Sequence, residues 1–187
     1  MSELHRSRNA GFSLVELLIV ISLLTIVIGI AVLNSGSAVP NMRANAAMNQ
    51  VVAQVRTGRE SALAQRRNFQ ILFLGSNQIQ LRRLEVDSAP PTDFPPVTLT
   101  GGVQFTLFSG LPDTPDGFGN STAVSFGGSP TLTFLSDGTF VDSTGGPLNG
   151  TVFIGIPGRT ETARAITTLG TTGRVGRYRW DGSQWIN

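Results

Sequence analysis

Residues 11–18 read Gly11-Phe12-Ser13-Leu14-Val15-Glu16-Leu17-Leu18, and the chain continues as IVISLLTIVIGIAVL to Leu33. From Phe12 to Leu33 that is 22 residues with one charge, Glu16. As a helix the run is about 33 Å long, enough to cross the hydrocarbon core of a bilayer. In front of it stands a polar leader, MSELHRSRNAG, with His5, Arg6 and Arg8 against Glu3. A basic flank stays on the cytoplasmic side, so the chain beyond Leu33 faces outward. The apolar run is longer than the core of a cleaved secretory signal, and no small-residue cleavage site follows it cleanly. A plain signal anchor accounts for the length but not for Glu16. A carboxylate inside a membrane helix costs several kcal/mol and marks function.

The stretch from Gly11 to Leu18 closely resembles the type III signal of type IV pilins and pseudopilins. The resemblance implies that a membrane peptidase cuts between Gly11 and Phe12 and methylates the new N-terminal Phe12. Glu16 would then be the fifth mature residue. Cleavage leaves an α-amine on Phe12 at the head of an apolar helix. In a helical filament that amine can meet the Glu16 carboxylate of a neighbouring subunit. Pairing offsets the cost of burying either charge alone, and only one axial stagger aligns the two.

Asn34 to Asn41, NSGSAVPN, is poor in helix formers. Pro40 removes an intrahelical bond. The segment reads either as a helix end or as a weak joint in one long helix, and the family resemblance favours the joint. Helical character returns from Met42 to Arg67. Met48, Val51, Val52, Val55, Ala62 and Leu63 recur at spacings of three and four, an apolar stripe to pack on a domain. Arg43, Arg56, Arg59, Arg66 and Arg67 read as a solvated face with apolar stems.

After residue 68 the pattern changes to alternation. Phe69–Leu74 and Gln78–Leu84 flank Gly75-Ser76-Asn77 and read as a β-hairpin. Glu85–Pro96 reads as a loop rich in Pro and acid. Further strands are expected at Val97–Thr100, Val103–Phe108, Ala123–Phe126, Thr131–Leu135, Thr139–Val141, Val152–Ile156, Arg164–Leu169 and Arg174–Trp180. Ser109–Ser121 reads as a surface loop. A long N-terminal helix followed by a β-only domain is an α+β fold, with the helix lying on an antiparallel sheet domain. TFLSDGTF and GRVGRYRWDGSQW are similar to segments of the GspH/FimT branch of pseudopilins and minor pilins, whose domains are two antiparallel sheets packed on the helix. The expected organisation is a leader at 1–11, a transmembrane and assembly helix at 12–33, the outer half of the long helix at 34–67, and a β-rich domain at 68–187.

Composition removes several chemistries. The 187 residues contain no Cys and no Lys, and the one His is in the leader. The processed chain would offer no Ser-His-Asp or Cys-His nucleophile and no Lys Schiff base. No phosphate-binding Gly-rich loop appears, so the chain is not its own motor. The acids Asp137 and Asp142, and those of the Asp113–Asp116 loop, lack the ligand density of a calcium loop. No metal, cofactor or catalytic residue is expected, and the chain is read as a non-enzyme.

Charge is uneven. From Glu85 to Asp142 there are seven acids and no base, whereas the last 45 residues carry Arg159, Arg164, Arg174, Arg177 and Arg179 against two acids. Arg174, Arg177 and Arg179 stand beside Tyr178, Trp180 and Trp185. Guanidinium groups with aromatics can hold a nucleic-acid backbone and stack on bases. Some FimT-like minor pilins use a C-terminal Gly-Arg-x-Arg segment for DNA uptake, and Gly173-Arg174-Val175-Gly176-Arg177 is similar to it. The competing reading is a charged edge strand that discourages pairing.

Taken whole, the resemblance implies a minor pseudopilin of the GspH type. It would be a structural subunit of a type II secretion pseudopilus, with a FimT- or FimU-like minor pilin of a type IV pilus as the alternative. The implied partners are other pilin or pseudopilin subunits, the prepilin peptidase and methyltransferase, and an inner-membrane assembly platform. DNA stays open as a further partner. The implied location is the bacterial inner membrane, single-pass, with the C-terminal domain periplasmic.

Overall fold

Ser13 starts the first helix, α1 (Leu14–Asn34). Its hydroxyl accepts the Val15 N–H at 3.3 Å, which satisfies a donor that a helix start leaves orphaned, and its carbonyl accepts the first intrahelical bond, from the Leu17 N–H at 3.1 Å. The computed structural model describes residues 13–34, 36, 38–87, 89–127, 129–142 and 144–187. The chain divides into two compact units, Met1–Ala38 and Val39–Asn187.

In α1 the large apolar side chains from Leu14 to Ile30 are exposed on every side, at 45–74%. Ser22 and Thr25 fold their hydroxyls back onto the carbonyls of Leu18 and Ile21, both at 2.8 Å, so neither presents a free polar group. Among the described residues no helix is long and apolar enough to cross a membrane. The span expected from the sequence begins at Phe12, outside the described residues.

The second helix, α2, runs Ala38–Gln65. Pro40 does not end a helix. It sits in the first turn of α2, where an N–H has no intrahelical partner to lose. At the far end Arg66 takes the left-handed conformation with φ 51°, and the Arg67 N–H reaches back to the Ala62 carbonyl at 3.3 Å. That is a Schellman-type stop made without glycine. The buried face is Ala44, Ala47, Val51, Val55, Gly58 and Ala62, with Val52 beside it. These residues are small, so the helix axis comes close to the strands below. A Cβ on Gly58 would lie 3.1 Å from Ile71 Cδ1 and 3.2 Å from Leu81 Cδ2. Met48 is only half-buried and Leu63 is exposed, so the expected stripe is correct at its centre and shifted at its ends.

The strands follow as β1 (Phe69–Leu74), β2 (Gln78–Arg83), β3 (Thr92–Asp93), β4 (Val97–Thr98), β5 (Gln104–Phe105), β6 (Val124–Phe126), β7 (Thr131–Phe134), β8 (Phe140–Val141), β9 (Gly150–Gly155), β10 (Arg164–Leu169), β11 (Arg174–Trp180) and β12 (Trp185–Ile186). They form two antiparallel sheets. One has the order β3-β2-β1-β7-β8, with β4 also on β2; the other has β12-β11-β10-β9-β5, with β6 also on β9. The fold is α+β, a helix followed by antiparallel sheets, as expected. The Glu85–Pro96 loop departs from expectation because it contributes β3, pinned by the Arg82–Asp93 ion pair opposite it. β12 was not anticipated either.

The main core joins α2 to both sheets, through Val51, Val55, Phe69, Ile71, Phe134, Phe140, Val152, Ile154 and Ile166. A second cluster lies on the other face of the β9-β10-β11 sheet: Phe153, Ala163, Ala165, Tyr178 and Trp185, packed on Leu107, Phe108 and Leu111. That sheet is therefore covered on both sides, and β10 is buried at five of its six residues.

Candidate functional site

Glu16 occupies the first turn of α1, three residues after the capping Ser13. Ser13-x-x-Glu16 has the spacing of a capping box, but the reciprocal bond is not made among the described residues, because the Ser13 hydroxyl accepts from the Val15 N–H. The carboxylate has no hydrogen-bond or ion-pair partner among the described residues. It is exposed at the head of a helix whose surface is apolar all round. A negative charge there also suits the positive end of the helix dipole. Gly11 and Phe12, the expected cleavage pair, lie outside the described residues.

β11 carries the C-terminal arginines. Arg174, Arg177 and Arg179 are all exposed. Strand alternation puts Arg177 and Arg179 on the face that looks toward α2, because they stand opposite Ile166 and Arg164 of β10. Arg179 and Arg177 line a groove of about 350 Å³ with Asn45, Met48 and Asn49 of α2. Arg174, at the other end of the strand, lines a second groove of about 430 Å³ with Arg56, Arg59 and Glu60. Five arginines from two elements thus border one side of the domain, and among the described residues only Arg59 of the five has a side-chain hydrogen bond, to the Gly138 carbonyl at 3.2 Å.

Of the three aromatics expected to stack beside them, Trp180 is half-exposed and the other two are buried. Tyr178 and Trp185 are each only 7% exposed and belong to the second core cluster. The Trp185 Nε1–H donates to the Pro112 carbonyl at 2.8 Å, and burial raises the Tyr178 pKa, with the nearby Asp116 adding to it. The physical reason is the loop before β6, which covers this face of the sheet.

Arg164 is the largest fully buried side chain, 0% exposed. Sequence reading placed it in a strand and gave it no role. Its Nε donates to Asn45 Oδ1 at 2.8 Å and its Nη2 to Asn41 Oδ1 at 2.9 Å. Nη1 donates to the Ala163 and Glu161 carbonyls at 2.9 and 3.2 Å. All these acceptors are neutral. Burial, with a smaller contribution from Arg179, holds the Arg164 pKa down at about 10. The cation is kept by hydrogen bonds alone, and they fix the start of α2 to β10.

The loop acids close turns. Asp137 Oδ1 accepts the Thr139 N–H at 2.8 Å, and Asp142 Oδ1 accepts the Thr144 N–H at 2.7 Å and the Gly146 N–H at 3.0 Å. Asp113 holds the N–H groups of Thr114 and Gly119, both at 2.7 Å, and Asp116 accepts the Thr167 hydroxyl. No three potential metal-ligating side chains come together among the described residues.

Residues 6–32 match the model of the prokaryotic N-terminal methylation motif. No curated protein matches the sequence. Among solved structures, the type IV minor pilin FimU of Pseudomonas aeruginosa has a TM-score of 0.51 at 16% identity, over 76% of this chain and 92% of that one. The minor pseudopilin EpsH from the type 2 secretion system of Vibrio cholerae has a TM-score of 0.47 at 14% identity, over 73% of this chain and 97% of that one. The FimU likeness is one of fold.

Proposed function

We propose that this type IV pilin-like chain is a structural subunit of a periplasmic filament, anchored in the inner membrane by the apolar run from Phe12 until it is assembled. The observation that carries the reading is Glu16. Among the described residues it is an unpartnered carboxylate at the head of a helix with apolar side chains on every face, four residues after a Phe that follows Gly11. A helix apolar all round belongs in a bilayer or inside an assembly. In either place the carboxylate needs a cation, and the amine that cleavage creates on the Phe12 of a neighbour is one.

The first reading is a minor pseudopilin of a type II secretion system. A minor pilin of a type IV pilus is the second, and the exposed Arg174, Arg177 and Arg179 favour it if they meet DNA in uptake. With Tyr178 and Trp185 buried, DNA contact would rest on phosphate pairing, and affinity would fall steeply with salt.

Glu16→Ala and Glu16→Gln, expressed in a host that lacks its own copy, test the reading. Both variants should be cut and stay in the membrane, yet fail to co-purify with filaments. Loss of secretion into the medium would point to the pseudopilus, and loss of surface pili or DNA uptake to the pilus. Filament incorporation at the unmodified level in both variants would overturn the structural role.

A further inference from the structure

β11 is bordered on its outer side by β12, which pairs only with Arg179 and Trp180. The Trp180 N–H points to β10, where it donates to the Ala163 carbonyl at 3.1 Å. In an antiparallel ladder alternate residues direct both backbone groups to the same neighbour. Gly176 and Tyr178 therefore face β10, while Val175 and Arg177 direct N–H and C=O outward. No backbone partner meets them there among the described residues. An open edge of this kind is a template for a further strand.

The surroundings of the edge select what could join it. On the helix side Arg177 and Arg179 stand beside Asn45 and Asn49, and Arg56, Arg59 and Arg174 stand around the groove at the other end. Among the described residues no ion pair engages any of these five arginines, and the acids that share grooves with them are Glu60 and, beside Arg174, Asp116. Arginines at an edge repel a neutral or basic strand, because pairing would bury part of their charge uncompensated. They do the opposite for a strand with acids at alternate positions.

We propose that the outer edge of β11 at Val175–Arg177 is a strand-addition site for an extended segment of a partner protein with acidic residues at alternate positions. Backbone bonds to Val175 and Arg177 supply affinity, and carboxylates on the α2 side, over Arg56 and Arg177, supply selectivity. The inference does not depend on filament assembly, because the site lies within the unit Val39–Asn187.

The test uses the full chain in detergent micelles and a labelled nine-residue peptide of alternating glutamate and valine. Binding at low salt should protect the Val175 and Arg177 amides from hydrogen exchange while those of Gly176 and Tyr178 stay as protected as before. Arg177→Ala should weaken binding by about tenfold, as expected for a charge-assisted bond. Arg177→Pro, which also removes the outward N–H, should weaken it further. The same peptide with a central proline should not bind. No peptide binding at low salt, binding without protection at Val175 and Arg177, or retention of single-stranded DNA but not the peptide would each overturn the proposal. Because the exchange measurement needs only the unmodified chain, a proline variant that fails to fold leaves it decisive.

Discussion

Arg164 Nε donates to Asn45 Oδ1 at 2.8 Å, a bond between residues 119 apart in the chain. It joins the most buried cation of the domain to the helix that precedes the sheets. With Asn41 on the same guanidinium, it fixes where α2 begins on the domain. A guanidinium suits this cage because its planar fork presents five N–H donors in fixed directions.

Arg164→Ala should lower the stability of the Val39–Asn187 unit by about 2–4 kcal/mol, since it leaves a cavity and orphans buried acceptors. Asn45→Ala should cost about 1–3 kcal/mol, by leaving a buried charge one acceptor short. Arg164→Lys should not restore stability, because an ammonium cannot reach acceptors on two helix positions and two carbonyls at once. Chemical denaturation followed by tryptophan fluorescence would measure all three. A lysine variant as stable as the parent would show that the cage does not hold the helix.

Two glycines separate steric need from convenience. Gly170 faces the backbone of Leu148, where a Cβ would lie 2.4 Å from both its N and its O. Backbone cannot move aside, so Gly170→Ala should destabilise by about 1–3 kcal/mol. At Gly58 the nearest atoms are side-chain ends at 3.1 and 3.2 Å, and alanine gains about 1 kcal/mol of helix propensity over glycine. Gly58→Ala should stay within about 1 kcal/mol of the parent. Thermal melts of the two variants side by side would check the contrast.

Acid should destabilise the domain in a defined direction. Hydrogen bonds from the Thr144 hydroxyl and from the N–H groups of Thr144 and Gly146 hold the Asp142 carboxyl below its usual range. The Thr139 N–H does so for Asp137, and the Gln184 and Ser183 N–H groups for Asp181. The Arg82 guanidinium lowers Asp93, and the Thr92 hydroxyl, then Arg83, lower Glu85. Their folded values lie below their unfolded ones, so the unfolded chain binds more protons in between. Stability from these groups is complete above the unfolded carboxylate range of about 4 and is lost as pH falls through the folded values. The melting midpoint should be flat from pH 7 to 5 and drop below that. Asp142→Asn should make the drop shallower.

Where sequence reading succeeded, a repeating pattern was long enough to see. β1, β2, β10 and β11 each run six or seven residues, and α2 repeats its small residues over several turns. The failures are local and physical. β3 and β12 are two residues each, too short to alternate, and exist because a neighbouring strand offers them partners. Tyr178 and Trp185 looked available for stacking because the Pro- and Gly-rich stretch from Ser109 reads as a solvated loop. It is instead the cover of a sheet face. Arg164 was invisible for a related reason: with both faces of β10 buried, its sequence Arg164-Ala165-Ile166-Thr167-Thr168-Leu169 shows no polar side.

The proposed function requires that this chain be cut between Gly11 and Phe12 and methylated on Phe12, so that Glu16 has an amine to meet. Intact-mass and N-terminal peptide mass spectrometry of the protein, purified from the membrane of a host that has the prepilin peptidase, tests it most directly. The account predicts a chain that begins at Phe12 and carries one methyl group on its α-amine. A chain still beginning at Met1, or an unmethylated Phe12, would contradict it.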